Sequence, residues 1–200
     1  RSWPDHHGFD HWFGFLDQWR LQVPADQFGQ QAAPAYTNPW LQRDGQLPER
    51  YDGHLTDILT EESRRFIADA PALGKPWFLY HAFLAPHEPV QPATRFAEQH
   101  EDSKAGRYRA LVSQLDEAVG ILLEELRVTG QADDTIVVFL SDNGGTNSAL
   151  DNNYPFRGRK GEVYEGSFRT PLIVSWPQAL PAGRIFDVVH NTDIFPTLAG

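Results

Sequence analysis

The strongest constraint on this chain is a succession of three segments near its middle: an apolar stretch, a long amphipathic stretch and a β-branched stretch. Trp77-Phe78-Leu79-Tyr80-His81-Ala82-Phe83-Leu84 is nearly continuous in apolar side chains and stands between Pro76 and Pro86. Such a run predicts a strand buried on both faces. From about Ala105 to Thr129, the residues Tyr108, Leu111, Val112, Leu115, Val119, Leu122, Leu123 and Leu126 recur at helical spacing, and Gly130 closes the stripe. Thr135-Ile136-Val137-Val138-Phe139-Leu140 then predicts a second central strand. Strand, helix, strand is the order of a βαβ crossover, so the expected class is α/β, a mostly parallel sheet flanked by helices.

The flanking sequence is more broken. The first fifty residues, rich in Trp, His, Gly and Pro, show no sustained period and read as loops with short strands. Leu55, Ile58, Leu59, Phe66 and Ile67 predict a helix from Thr56 to about Ala70, with Thr56 or Asp57 as N-cap and Pro71 and Gly74 ending it. Leu172-Ile173-Val174-Ser175-Trp176 predicts a third short strand, and a final helix is expected near Thr192 or Asp193.

Charge narrows the choice of partner. Seventeen basic against 27 acidic residues leave a net charge of −10. A nucleic-acid or polybasic membrane surface needs the opposite sign, so neither kind of partner is expected, and an anionic ligand must meet a local basic cluster. The chain has no Cys, which removes disulfides, thiolate metal sites and a cysteine nucleophile but leaves the compartment open. It also has no Met and starts at Arg1, which suggests processing or truncation. No run approaches the roughly 18 apolar residues of a membrane span, and no signal segment opens the chain.

In open α/β sheets, ligands bind beyond the carboxyl ends of the strands. Polar residues gather there twice. Ser141-Asp142-Asn143-Gly144-Gly145 follows the second strand, and Asp142 with Asn143 offers a carboxylate beside an amide carbonyl, hard oxygen donors suited to Ca²⁺ or Mg²⁺. Read alone, the same residues also make an ordinary turn. His87, in Ala85-Pro86-His87-Glu88-Pro89, is held between prolines, which suits a general acid or an anion contact as well as a structural histidine. Arg157, Arg159, Lys160 and Arg169 place four of the 17 basic residues within thirteen positions. That loop is either the basic cluster an anion requires or a solvated face, with Lys160 as the point charge for an oxyanion and Arg169 paired to Glu165 as scaffold. Trp12, Trp19, Tyr36, Trp40 and Tyr154 are candidates for stacking on sugar rings, a role that competes with simple core packing.

These segments in their order resemble the sulfatase family of the alkaline-phosphatase-like superfamily. The resemblance rests on Gly8-Phe9-Asp10, Pro86-His87-Glu88-Pro89, the Thr135–Gly144 run, Lys160-Gly161 with Glu165-Gly166-Ser167-Phe168-Arg169-Thr170-Pro171, and Asp193-Ile194-Phe195-Pro196-Thr197-Leu198. Ser167 departs from the family, which usually has a second Gly there, and should stiffen that turn slightly without moving Lys160. The resemblance implies hydrolysis of a sulfate ester, of a small molecule or a glycan, at a Ca²⁺ site, with Mg²⁺ second. It further implies that Asp142 and Asn143 are metal ligands, that His87 contacts the sulfate and assists departure of the alcohol, and that Lys160 binds the same group. The family's nucleophile is a formylglycine made within Cys/Ser-x-Pro-x-Arg, and neither that motif nor the family's early acidic pair and Lys-x-His pair is found here. Residues 1–200 are thus expected to be the central to C-terminal part of one sulfatase catalytic domain, inactive alone. Members are commonly periplasmic, secreted or lysosomal. The alternatives are a phosphate or phosphonate monoester hydrolase of the same superfamily and an inactive glycan-binding relative.

Overall fold

Small and apolar residues at three- and four-residue spacing build helix α1 (Leu55–Asp69), whose buried face is Leu55, Thr56, Leu59, Thr60, Ser63 and Ile67. The computed structural model describes residues 3–15, 36–146 and 153–200. The chain divides into two units, Arg1–Gly130 and Gln131–Gly200.

In the first unit, strands β1 (Phe13–Gly14), β2 (Trp40–Arg43) and β3 (Glu49–Arg50) form an antiparallel sheet in that order. The turn leaving β2 is Asp44-Gly45, both at positive φ, closed by the Gln46 amide donating to the Arg43 carbonyl at 2.8 Å. After the short helix α2 (Thr94–Ala97) comes α3 (Lys104–Val128), capped by Ser103, whose Oγ accepts from the Gly106 amide at 2.9 Å. Helices α1 and α3 pack together around a core of Tyr36, Leu41, Leu55, Leu59, Ala85 and Leu111.

Three expectations need correction here. The α1 N-cap is His54, whose Nδ1 accepts from the Thr56 amide at 3.2 Å, because Thr56 is already helical and buried. The buried face of α3 runs through Gly106, Ala110, Leu111, Gln114, Ala118 and Leu126, while Val112 and Leu123 of the apolar stripe are exposed. Gly106 is required because a Cβ there would lie 1.9 Å from the Glu101 carbonyl oxygen. The segment 77–84 is extended but forms no ladder among the described residues. Its odd-numbered side chains meet α1, with Trp77 edge-on to Phe66 at 5.7 Å and His81 Nδ1 2.6 Å from Ser63 Oγ. On the other face Phe78 is 62% and Tyr80 73% exposed, and only Leu84 at the end of the segment packs against the core, so the segment is not buried on both faces along its length.

A buried polar hub holds the segment after it. His54 Nε2 bonds the Gln91 carbonyl at 2.8 Å, the Tyr36 amide donates to Gln91 Oε1 at 3.1 Å, and the Tyr36 ring stacks on His54 at 5.2 Å. Gln114 Nε2 lies 2.9 Å from His54 Nδ1 and 2.8 Å from Asp57 Oδ1, and its Oε1 accepts from the Ala93 amide at 2.9 Å. Burial by itself would raise the Asp57 carboxyl, but hydrogen bonds from Arg95 and Gln114 outweigh it and hold it below the ordinary range.

In the second unit, β4 (Val137–Leu140) and β5 (Leu172–Ser175) form an antiparallel ribbon with Val137 opposite Ser175 and Leu140 opposite Leu172. Trp176 Nε1 anchors its far end on the Asp133 carbonyl at 2.8 Å. Helix α4 (Glu165–Phe168) precedes β5, and α5 (Ile194–Ala199) follows a short 3₁₀ turn. Among the described residues, every ladder within each unit is antiparallel. No parallel pairing occurs within either unit among the described residues, and the two β segments flanking α3 belong to different units.

Gln114→Leu should cost about 1–3 kcal/mol in denaturant unfolding, since it strips partners from the half-buried Ala93 amide and Asp57 and from the buried His54. The exposed Glu98→Gln should stay within about 0.5 kcal/mol. A pH dependence follows from His81. Burial pushes its imidazole down to about 4, and Nε2 has no partner among the described residues. The unfolded imidazole titrates near 6.5, so stability is full above that pH and declines as pH falls toward the folded value. His54 is lowered by burial too and acts in the same direction. His81→Leu should therefore flatten, without abolishing, the fall of the unfolding midpoint on acidification. An unchanged slope would contradict a buried neutral imidazole.

Candidate functional site

Beyond the end of β4, the chain enters a knot of three segments: 141–145, 157–161 and α4. The Gly144 amide donates to the Ser167 carbonyl at 2.7 Å, the Gly166 amide to the Arg157 carbonyl at 2.8 Å, and the Lys160 amide to the Gly145 carbonyl at 3.0 Å. Thr170 Oγ1 donates to the Ser141 carbonyl at 3.0 Å, and Ser141 Oγ to the Asn143 carbonyl at 3.0 Å. Glycine is obligatory at two contacts. A Cβ on Gly144 would lie 1.8 Å from the Gly166 carbonyl oxygen, and one on Gly166 would lie 2.3 Å from that of Gly158. Asn153, which no sequence pattern singled out, braces the knot through its side-chain amide.

Asp142 is exposed and Asn143 half-buried on the first of these loops; Lys160 is exposed on the second. The four basic residues separate by partner. Arg169 pairs with Glu165 at 3.2 Å, as the sequence suggested, and lies over the Phe156 ring at 4.4 Å. Arg157 lies over the Tyr164 ring at 3.8 Å, and Arg159 pairs with Glu162 at 3.1 Å. Lys160 has no ion pair among the described residues. Ser167 is accommodated inside α4, its amide donating to the Tyr164 carbonyl at 2.8 Å.

His87 belongs to the first unit. Its amide donates to the Leu84 carbonyl at 2.8 Å, and its carbonyl accepts from the buried Tyr36 hydroxyl at 2.9 Å. The Ala85-Pro86 and Glu88-Pro89 bonds on either side are cis. Its Nδ1 is 2.8 Å from the Glu88 carbonyl oxygen, which can only accept, so the geometry assigns a hydrogen to Nδ1.

The structure thus joins the backbones bearing Asp142, Asn143 and Lys160 and gives His87 a frame of its own. Tyr36 is fully buried and stacked on His54, so it is a core residue and not a sugar platform. Trp12 packs against Trp3 at 5.4 Å, Trp40 is half-buried in β2, and Tyr154 is 86% exposed. Trp19 lies outside the described residues. A cleft of about 380 Å³ in the first unit, lined by Phe13, Arg43, Tyr51 and the start of α1, holds none of the motif residues. Among the described residues, no three His, Cys, Asp or Glu side chains gather as a metal site. The Asp142–Asn143 pair still fits part of a hard-cation shell by donor type, a carboxylate and an amide oxygen on a loop with an exposed carboxylate.

The chain matches the sulfatase family model over residues 2–200 and belongs to that family. It is 34% identical to the N-acetylgalactosamine-6-sulfatase of Canis lupus familiaris, with 97% of this chain and 38% of that protein covered. It is likewise 34% identical to a sulfatase of Formosa agariphila over 81% of this chain and 31% of that protein. The solved structure of Ps i-CgsB in complex with k-i-k-neocarrahexaose superposes with a TM-score of 0.84 at 33% identity, covering 98% of this chain and 46% of that one. The fold is accordingly the α/β, alkaline-phosphatase-like fold of these sulfatases, present here as an incomplete domain. The chain spans less than half the length of each of these relatives.

If the knot is as tight as the glycine contacts require, Gly166→Ala in the full-length protein should open it and raise trypsin cleavage after Arg157, Arg159 and Lys160 by an order of magnitude. Gly161, at φ +88° with open space around it, should tolerate Ala at a cost of about 1 kcal/mol with little new cleavage. Equal protection of both variants would contradict the packing.

Proposed function

We propose that residues 1–200 are the central to C-terminal part of a single sulfatase catalytic domain, and that the complete protein is a sulfuric ester hydrolase. The observation that carries this reading is the knot itself: the loop bearing Asp142 and Asn143 and the loop bearing Lys160 are joined by the Lys160 amide to Gly145 carbonyl bond. Hard oxygen donors and an uncommitted ammonium are what a sulfate group with its counter-cation requires.

Asp142 and Asn143 would hold Ca²⁺, which when bound supplies positive charge against the sulfate oxygens. Lys160 contributes a second positive charge for the same group. His87, with Nδ1 committed to the Glu88 carbonyl, presents Nε2 to hold the sulfate and to pass a proton to the departing alcohol oxygen. The nucleophile, a formylglycine, is supplied by a Cys/Ser-x-Pro-x-Arg segment that is not among these residues.

A sulfated glycan is the favoured substrate class. Support comes from the relatives, one named for N-acetylgalactosamine-6-sulfate chemistry and one solved with a neocarrahexaose. The exposed Tyr154 ring is available for stacking on a sugar. The family points to a periplasmic, secreted or lysosomal setting, and no helix among the described residues is long and apolar enough to cross a membrane.

The test is hydrolysis by the full-length protein. It should cleave an aryl sulfate well above an aryl phosphate and lose activity with a calcium chelator. Lys160→Ala and His87→Ala should each lower kcat/KM about a hundredfold. The 200-residue chain alone should show no turnover. Preference for the phosphate ester would favour the phosphoesterase reading, and undiminished variants would contradict the residue roles.

A further inference from the structure

We infer that Asn153 is the positioning residue that fixes the Lys160 loop against the Asp142–Asn143 loop; this rests on the sulfatase reading above. One side-chain amide makes three hydrogen bonds to two different segments. Its Oδ1 accepts from the Gly145 amide at 2.8 Å, while its Nδ2 donates to the Gly145 carbonyl at 3.1 Å and to the Gly158 carbonyl at 3.0 Å. The orientation is determined by chemistry, because a flipped amide would set its oxygen against two carbonyls and its NH₂ against an N–H.

The position of these bonds gives them their consequence. Gly145 lies two residues beyond Asn143, and Gly158 two residues before Lys160. The Gly145 carbonyl also accepts the Lys160 amide, so Asn153 and Lys160 share one acceptor. Asn153 therefore couples the backbone carrying the metal-ligand candidates to the backbone carrying the ammonium, without itself presenting a group to sulfate. The glycine contacts keep the segments close, and the amide selects their register.

The substitution series uses the full-length protein. Asn153→Ala removes all three bonds. Asn153→Asp keeps the shape and the acceptor but turns a carboxylate oxygen toward two carbonyls, which provides a near-isosteric second variant if Ala impairs folding. Either should lower kcat/KM for an aryl sulfate about tenfold and weaken Ca²⁺ binding in calorimetry by a similar factor. Trp176→Phe, which loses a hydrogen bond at the far end of the same ribbon, should leave both within about twofold. At saturating Ca²⁺, Asn153→Ala added to Lys160→Ala should lower kcat/KM less than about twofold further, because both act through one group. Full additivity, or unchanged Ca²⁺ binding and kcat/KM in both Asn153 variants, would overturn the positioning role alone. Full activity of Lys160→Ala would overturn the sulfatase-site reading, and this role with it.

Discussion

The Gly158 and Gly166 carbonyl oxygens occupy the space that side chains on Gly166 and Gly144 would need. Backbone meets backbone there without intervening side chains. Segments distant in sequence can then exchange amide hydrogen bonds directly: Gly144 with Ser167, Gly166 with Arg157, Lys160 with Gly145. The candidate chemistry of the second unit depends on that closeness. Asp142 and Asn143 follow β4 on one segment of the knot, and Lys160 lies on another. A single methyl group at Gly144 or Gly166 would push those strands apart.

The first unit solves a different problem with different means. Here the residue of interest, His87, sits after a segment that forms no ladder among the described residues. Buried side chains hold it. Tyr36 takes the His87 carbonyl, His54 takes that of Gln91, and Gln114 takes the Ala93 amide. Such a hub is costly when incomplete, since each buried polar group left unpaired loses its water without replacement. With its members satisfied, it defines one conformation for residues 87–93, which apolar packing alone would leave free to slide.

How much of this was legible in sequence depended on the kind of interaction. Helical periodicity located α1 and α3 to within a residue or two, because an apolar face is a local property. The same periodicity misjudged the α3 face at Val112 and Leu123 and passed over Gln114, since hydropathy carries no term for a satisfied buried amide. The 77–84 run looked buried on both faces, yet Phe78 and Tyr80 are bare within the structure described. The motif residues were legible through their resemblance to sulfatases. The distinction among the four cations was legible in part: the Arg169–Glu165 pair was expected, whereas the partners of Arg157 and Arg159 come from the fold of the loop. Asn153 was invisible because an asparagine near a proline reads as a turn residue, and its three partners become neighbours only after folding. The overall negative charge does not exclude an anionic ligand, since an ammonium without an ion pair among the described residues is a local feature that net charge does not report.

The most direct measurement is a crystal structure of the full-length protein with calcium and an inorganic sulfate or a sulfated sugar bound. The expected result is a cation with oxygens of both Asp142 and Asn143 at about 2.3–2.6 Å, and Lys160 Nζ and His87 Nε2 each within about 3.2 Å of a sulfate oxygen. A cation bound elsewhere, or a sulfate that touches neither Lys160 nor His87, would contradict the assignment of this site.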